Sequence, residues 1–162
     1  MSVRAAVDRV LGTLLVVLMA ASVVNVLWQV LSRYVLGSPS SFTDELARYL
    51  LVWVGLLGSA YAAGQRLHVA VDLLPGRTGR LRAASTLLAH GVVTLFALAV
   101  LVVGGGGLVR LVAELGQHSA ALGVPLAWVY LAAPLAGGLV VFYALSDAHA
   151  EWRRISRRGD TP

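Results

Sequence analysis

The chain has 162 residues, of which 58% are hydrophobic and only 13% charged, with a net charge of +5 and no cysteine. Roughly a quarter of a typical globular chain is charged, so the composition excludes an ordinary soluble domain. The missing cysteines exclude disulfides, thiol catalysis and iron–sulfur clusters, and the basic residues are split among short segments beside apolar runs, which argues against nucleic acid as a partner.

Four uncharged runs cover residues 10–32, 49–65, 83–109 and 115–146. About 20 apolar residues cross a bilayer as a helix. The second run is 17 residues long, and extending it back to Thr43 gives 23. Pro125 suits a first helical turn and marks the start of the fourth helix. The pattern predicts an all-α membrane protein: one domain over residues 1–162, with transmembrane helices near 10–33, 43–65, 83–109 and 124–147. The short alternating segments of a membrane barrel are missing.

The first helix opens like a signal peptide, with Arg4, Arg9 and an apolar core. The run continues to Leu31, past the roughly 7–15 residues of a signal core, so a retained helix is expected. Asn25, Gln29 and Arg33 follow at i, i+4, i+8 and share one face. Lipid cannot satisfy an amide, so that face must meet protein. Gly37, Ser38 and Pro39 make a turn, and Ser41 with Asp44 resembles a capping box at the start of the second helix. Arg48 lies within reach of Asp44 and Glu45 along that helix. Arg33, Glu45 and Arg48 are therefore expected to form one network, pinning the first helix to the second or the chain to a partner. Gly55, Gly58, Ser59 and Ala62 lie on one face of the second helix, and Trp53 points away from it. Small residues of this kind let membrane helices approach closely, within the bundle or against a separate membrane protein.

The connection over 64–82 turns at Pro75-Gly76. His68 and Asp72 within it are too few for a metal site and are expected to anchor the loop to its own bundle or to a partner. The glycines at 104–107 suit either a close-packed helix end or a hinge. Arg110, Glu114 and His118 continue the third helix beyond the membrane. Ten arginines lie on the side of the two termini and three (Arg33, Arg48, Arg110) on the other. The positive-inside rule places both termini in the cytoplasm.

No Asp, Glu, Arg or Lys falls inside the four runs, although an ionisable residue in the membrane is the usual mark of a transport pathway. Inverted repeats and broken helices, common around transporter sites, are not evident either. Enzymatic motifs are missing. The alternative from another class is a haem-binding or other anchor subunit of a redox complex: of His68, His90, His118 and His149, His90 and His149 could approach the same depth.

The stretch "NVLWQVLSRYVLGSPSSFTDELARYLLVWVGLLGSAYAAGQRLHVAVDLLP" resembles the small membrane subunit of tripartite ATP-independent periplasmic (TRAP) transporters. The residues that carry the likeness are Gln29, Arg33-Tyr34, Gly37, Phe42-Thr43, Glu45-Leu46, Arg48-Tyr49, Trp53, Gly58, His68 and Asp72. "ALGVPLAWVYLAAPLAG" at 121–137 looks like the start of that family's fourth helix. Phe42 departs from the usual Trp. The resemblance implies a non-catalytic inner-membrane scaffold without a cofactor of its own. Its partners would be a large membrane subunit holding the substrate and sodium sites, and a soluble periplasmic protein that delivers an organic acid. Arg110, Glu114 and His118 are then candidate contacts for the delivery protein. The substrate itself is bound in other chains.

Overall fold

The computed structural model describes residues 3–38, 40–66 and 79–158. The chain runs α1 (Val3–Tyr34), α2 (Ser41–Arg66) and α3 (Gly79–Phe96). A π-helical segment (Ala97–Gly104) then continues without a break into α4 (Gly105–Glu114). α5 (Leu126–Tyr130) and α6 (Ala132–Arg158) complete it. Four helices are long and apolar enough to cross a membrane: Val3–Tyr34, Ser41–Gln65, Leu88–Glu114 and Leu126–His149. α1 and α2 form a hairpin, and its turn marks one end of the bundle, called here the hairpin end. The opposite end carries the start of α1 and is called the termini end.

Local sequence explains the boundaries. α2 begins at Ser41, with Asp44 in its first turn, where the helix dipole favours an acid. Gly37 closes the hairpin turn at φ 65, a conformation that costs glycine little. The fourth span passes from α5 to α6 at Leu131, which keeps helical geometry and bonds back to Ala127 at 3.0 Å. Pro134 lacks the amide that would bond back to Tyr130, so the first turn of α6 is loosened there. α1 begins seven residues before the expected start at residue 10, because Arg4 and Asp8 are tied into the bundle, as described below.

The core is small. Leu11 of α1, Leu57 and Ala60 of α2, and Ala136 and Tyr143 of α6 are buried together. Most other large apolar side chains face outward, which suits lipid as solvent. Two glycines set the closest approaches. A Cβ on Gly64 would come within 2.8 Å of the Tyr143 ring, and one on Gly137 within 2.6 Å of the Leu101 Cβ. Any side chain at either position would push α6 away from its neighbour.

Candidate functional site

The hairpin end gathers most of the polar residues singled out above. Asn25 is buried in α1, and its Nδ2 donates to the Thr43 carbonyl at 2.9 Å. Gln29, one turn further, donates to the Asp44 carboxylate. Thr43 is itself fully buried, and its hydroxyl donates to the Ser40 carbonyl at 2.7 Å. The amide stripe of α1 is thus spent on the first turn of α2. Each amide finds the partner that lipid cannot supply.

Glu45 points elsewhere. Its carboxylate accepts the Tyr49 hydroxyl at 2.6 Å. It also accepts the successive backbone amides of Ala120, Ala121 and Leu122, at 3.2, 2.8 and 2.9 Å. Consecutive N–H groups curled around an anion form a nest. The loop that forms this nest is compact. Gly116 and Gly123 turn it at φ 57 and φ 66. Ser119 N donates to the Val124 carbonyl at 2.9 Å, and Leu126 N to the Gln117 carbonyl at 3.0 Å.

The expected network of Arg33, Glu45 and Arg48 is therefore not what holds the hairpin end within this chain. Among the described residues the ion pairs are Arg4–Asp147 and Arg110–Glu114. Arg33 and Arg48 are both exposed. The physical reason is the direction of the Glu45 side chain, which is turned toward the loop, where three amides and a phenol satisfy it. Arg110 donates to Glu114 at 2.7 Å as an exposed i,i+4 pair. The His118 ring Nδ1 lies 2.7 Å from the Gly116 carbonyl.

The small-residue face of α2 divides. A Cβ on Gly58 would stand 3.9 Å from Leu15 of α1, whereas one on Gly55 would meet nothing within 4 Å among the described residues. Ser59 is exposed and returns its hydroxyl to the Gly55 carbonyl at 2.6 Å. Ala62 is half-buried. The bundle side of α2 is carried by Leu57 and Ala60, with Trp53 packed beside them. Packing inside the bundle thus accounts for Gly58 and leaves Gly55 and Ser59 open. The glycines at 104–107 divide in the same way. A Cβ on Gly105 would stand 3.1 Å from Ala133 and Pro134, while Gly106 and Gly107 are open. His68 and Asp72 lie outside the described residues.

A second polar cluster, at the termini end, had not been singled out. Arg4 donates to the Asp147 carboxylate and, at 2.7 Å, to the Gly64 carbonyl. Its guanidinium sits 5.6 Å from the centre of the Tyr143 ring. The Tyr143 hydroxyl donates to Asp8 at 2.6 Å. Three helices, α1, α2 and α6, are joined here. The available signal was a pair of i,i+4 spacings, Arg4/Asp8 and Tyr143/Asp147, at opposite ends of the chain. Among the described residues no three His, Cys, Asp or Glu side chains gather as a metal site would need.

Comparison with known proteins completes the picture. Residues 22–154 match the family model described as "Tripartite ATP-independent periplasmic transporters, DctQ component". The chain is 26% identical over 147 residues to the sialic acid TRAP transporter small permease protein SiaQ of Vibrio cholerae, covering 88% of this chain and 81% of that one. A putative TRAP transporter small permease protein of Haemophilus influenzae is 32% identical over 68 residues, 42% of each chain. The sialic acid TRAP transporter permease protein SiaT of Haemophilus influenzae is 46% identical over 46 residues, 28% of this chain and 8% of SiaT. Four apolar helices, a polar hairpin end and a family match over most of the chain agree: this protein belongs to the DctQ family, the small inner-membrane permease component of TRAP transporters, and is a transporter component rather than an enzyme.

Proposed function

We propose that this subunit is a scaffold for the large TRAP permease and carries no substrate pathway of its own. The observation behind this reading is the open half of the α2 small-residue face, Gly55 and Ser59, which nothing among the described residues covers. Such a surface lets a partner helix approach to backbone distance. The match to SiaT lends support, because the 46 matched residues make up only 8% of a protein named as a permease. Lipid fills the remaining perimeter. An open apolar groove of about 440 Å³, lined by Val7, Leu11, Leu14, Trp53, Leu57 and Leu139 among others, offers it a place.

The ten-to-three arginine bias puts both termini in the cytoplasm. The hairpin end then faces the periplasm. Arg33, Arg48, Arg110, Glu114 and His118 are exposed there, and they form the surface offered to a soluble substrate-binding protein. The cargo is an organic acid, taken up with sodium at sites in the large subunit. Two of the relatives are named for sialic acid, itself a carboxylic acid.

The test is Gly55→Leu, which adds bulk to the open face, where an added Cβ meets nothing within 4 Å among the described residues. The subunit should fold normally but lose copurification with the large permease and lose uptake. Undiminished copurification would exclude this face as the interface. Sodium-driven uptake by this chain alone in liposomes would exclude the scaffold role.

A further inference from the structure

The span Leu88–Glu114 changes its winding at mid-course, where Ala97–Gly104 is π-helical. The Gly105 amide bonds back to the Val100 carbonyl, five residues earlier. Each π ring encloses one residue more than an α ring, so the segment stores one extra residue. Letting it rewind as α-helix would release that residue. Everything beyond would then turn by about 100°, the angle of one residue at 3.6 per turn. Each residue of α4 would move into the place of the residue after it.

The sequence of α4 is suited to both settings. In the structure Gly105 and Val112 are buried and Val109 is half-buried. One residue back, Gly104, Leu108 and Leu111 are exposed. The two faces read glycine, valine, valine and glycine, leucine, leucine. The tight spot is where Gly105 meets Ala133 and Pro134, with room for no more than a Cβ pushed to 3.1 Å. After the turn Gly104 would fill it equally well. The rewinding segment is in close contact with α6 at Gly137, where an added Cβ would stand 2.6 Å from the Leu101 Cβ, so the only α6 residue it must turn past at that point is a glycine. Beyond α4 the chain bends at Gly116, at φ 57, before the loop that Glu45 holds. There the Gly116 and Gln117 amides bond back to the Ala113 and Val112 carbonyls, so the turning helix meets the fixed loop at a cap that must re-form in each register.

We infer that the third membrane span is a two-register helix, in which the π segment and the glycine run let α4 rotate by one residue against α5 and α6 while staying packed. The rotation carries the exposed Arg110–Glu114 pair around the hairpin end and leaves the loop on Glu45 in place. It goes beyond the scaffold role, since a rigid scaffold needs no second register.

The test uses thiol labelling in membrane vesicles, for which the chain has no cysteine background. Val112 is 5% exposed and Leu111 53%. With two registers, the Val112→Cys variant should label at about 0.1–10% of the rate of Leu111→Cys, as expected for a minor state. Deleting Val100 removes the stored residue and leaves both flanks in their observed phase. It should lower Val112→Cys labelling at least about tenfold if the minor state carries that labelling. Gly104→Leu should do the same, because a leucine cannot enter the tight spot; in the observed register Gly104 is exposed, and among the described residues an added Cβ would meet only the Ala99 carbonyl, at 3.6 Å. This second variant decides the matter if the deletion does not fold. A Val112→Cys variant that never labels, or one whose labelling ignores both changes, would overturn the proposal.

Discussion

The two ends of the bundle hold their acids in different ways. At the termini end, Asp147 is met by the Arg4 guanidinium and Asp8 by the Tyr143 hydroxyl. At the hairpin end, Glu45 is met by one phenol and three main-chain amides. A side-chain partner can be exchanged for another of matching charge, whereas a main-chain partner cannot. The termini end is thus held by a pair that substitution can break and rebuild. The hairpin end depends on one carboxylate of one length, because the loop supplies its donors from fixed backbone.

The largest effect is expected at the termini end. Arg4→Ala removes a link to Asp147, a link to the Gly64 carbonyl and the cation beside Tyr143. Losing one partner of a buried pair costs about 3–5 kcal/mol. Asp147 is 5% exposed and Arg4 28%, so the lower part of that range, about 3 kcal/mol, is expected. Thermal unfolding in detergent checks it. The double exchange Arg4→Asp with Asp147→Arg should recover part of the loss. Equal instability in the exchanged and singly substituted chains would mean that the cluster is not an exchangeable pair.

The next effect sharpens the contrast. Glu45→Gln replaces an acceptor of four donors by an amide that carries donors of its own. The amides of Ala120, Ala121 and Leu122 should then exchange hydrogen faster, while those at the termini end are unchanged. Exchanging charges, Glu45→Arg with Arg48→Glu, should not restore protection, since Arg48 is not what Glu45 holds. Restored protection in that double variant would return the hairpin end to the side-chain network expected from sequence.

How far the sequence was legible follows from the same contrast. Asn25 and Gln29 were readable because an amide inside an apolar run has few ways to be satisfied, and both bond to α2. Glu45 was readable as important, but its partners were not, because backbone amides leave no mark in residue identity. Arg48, at i+3, is the partner that helical spacing suggests. Asp8 falls outside a first helix that starts where the apolar residues begin, and Asp147 is only the last residue of the expected fourth helix, although both helices run on through the charges. The α2 small face was found as a face, yet helical spacing alone does not tell which half faces its own bundle. The π segment was beyond reading, since Ala97–Gly104 is apolar on every side and so carries no periodicity to reveal a change of pitch.

The smallest effect bears on where the hairpin cluster stops. Arg110 and Glu114 bond to each other at the end of α4, with side chains 82% and 60% exposed. Exposed i,i+4 pairs contribute about 0.3–0.5 kcal/mol, and salt screens them further. Arg110→Ala should therefore leave unfolding within about 0.5 kcal/mol of the parent chain. The loop amides should keep their protection, because they bond to Glu45 and not to Arg110 or Glu114. If uptake by the assembled transporter falls while stability holds, Arg110 acts on something outside this chain, as a contact for the binding protein would. If instead Arg110→Ala loosens the Ala120–Leu122 amides, α4 and the loop are one rigid unit.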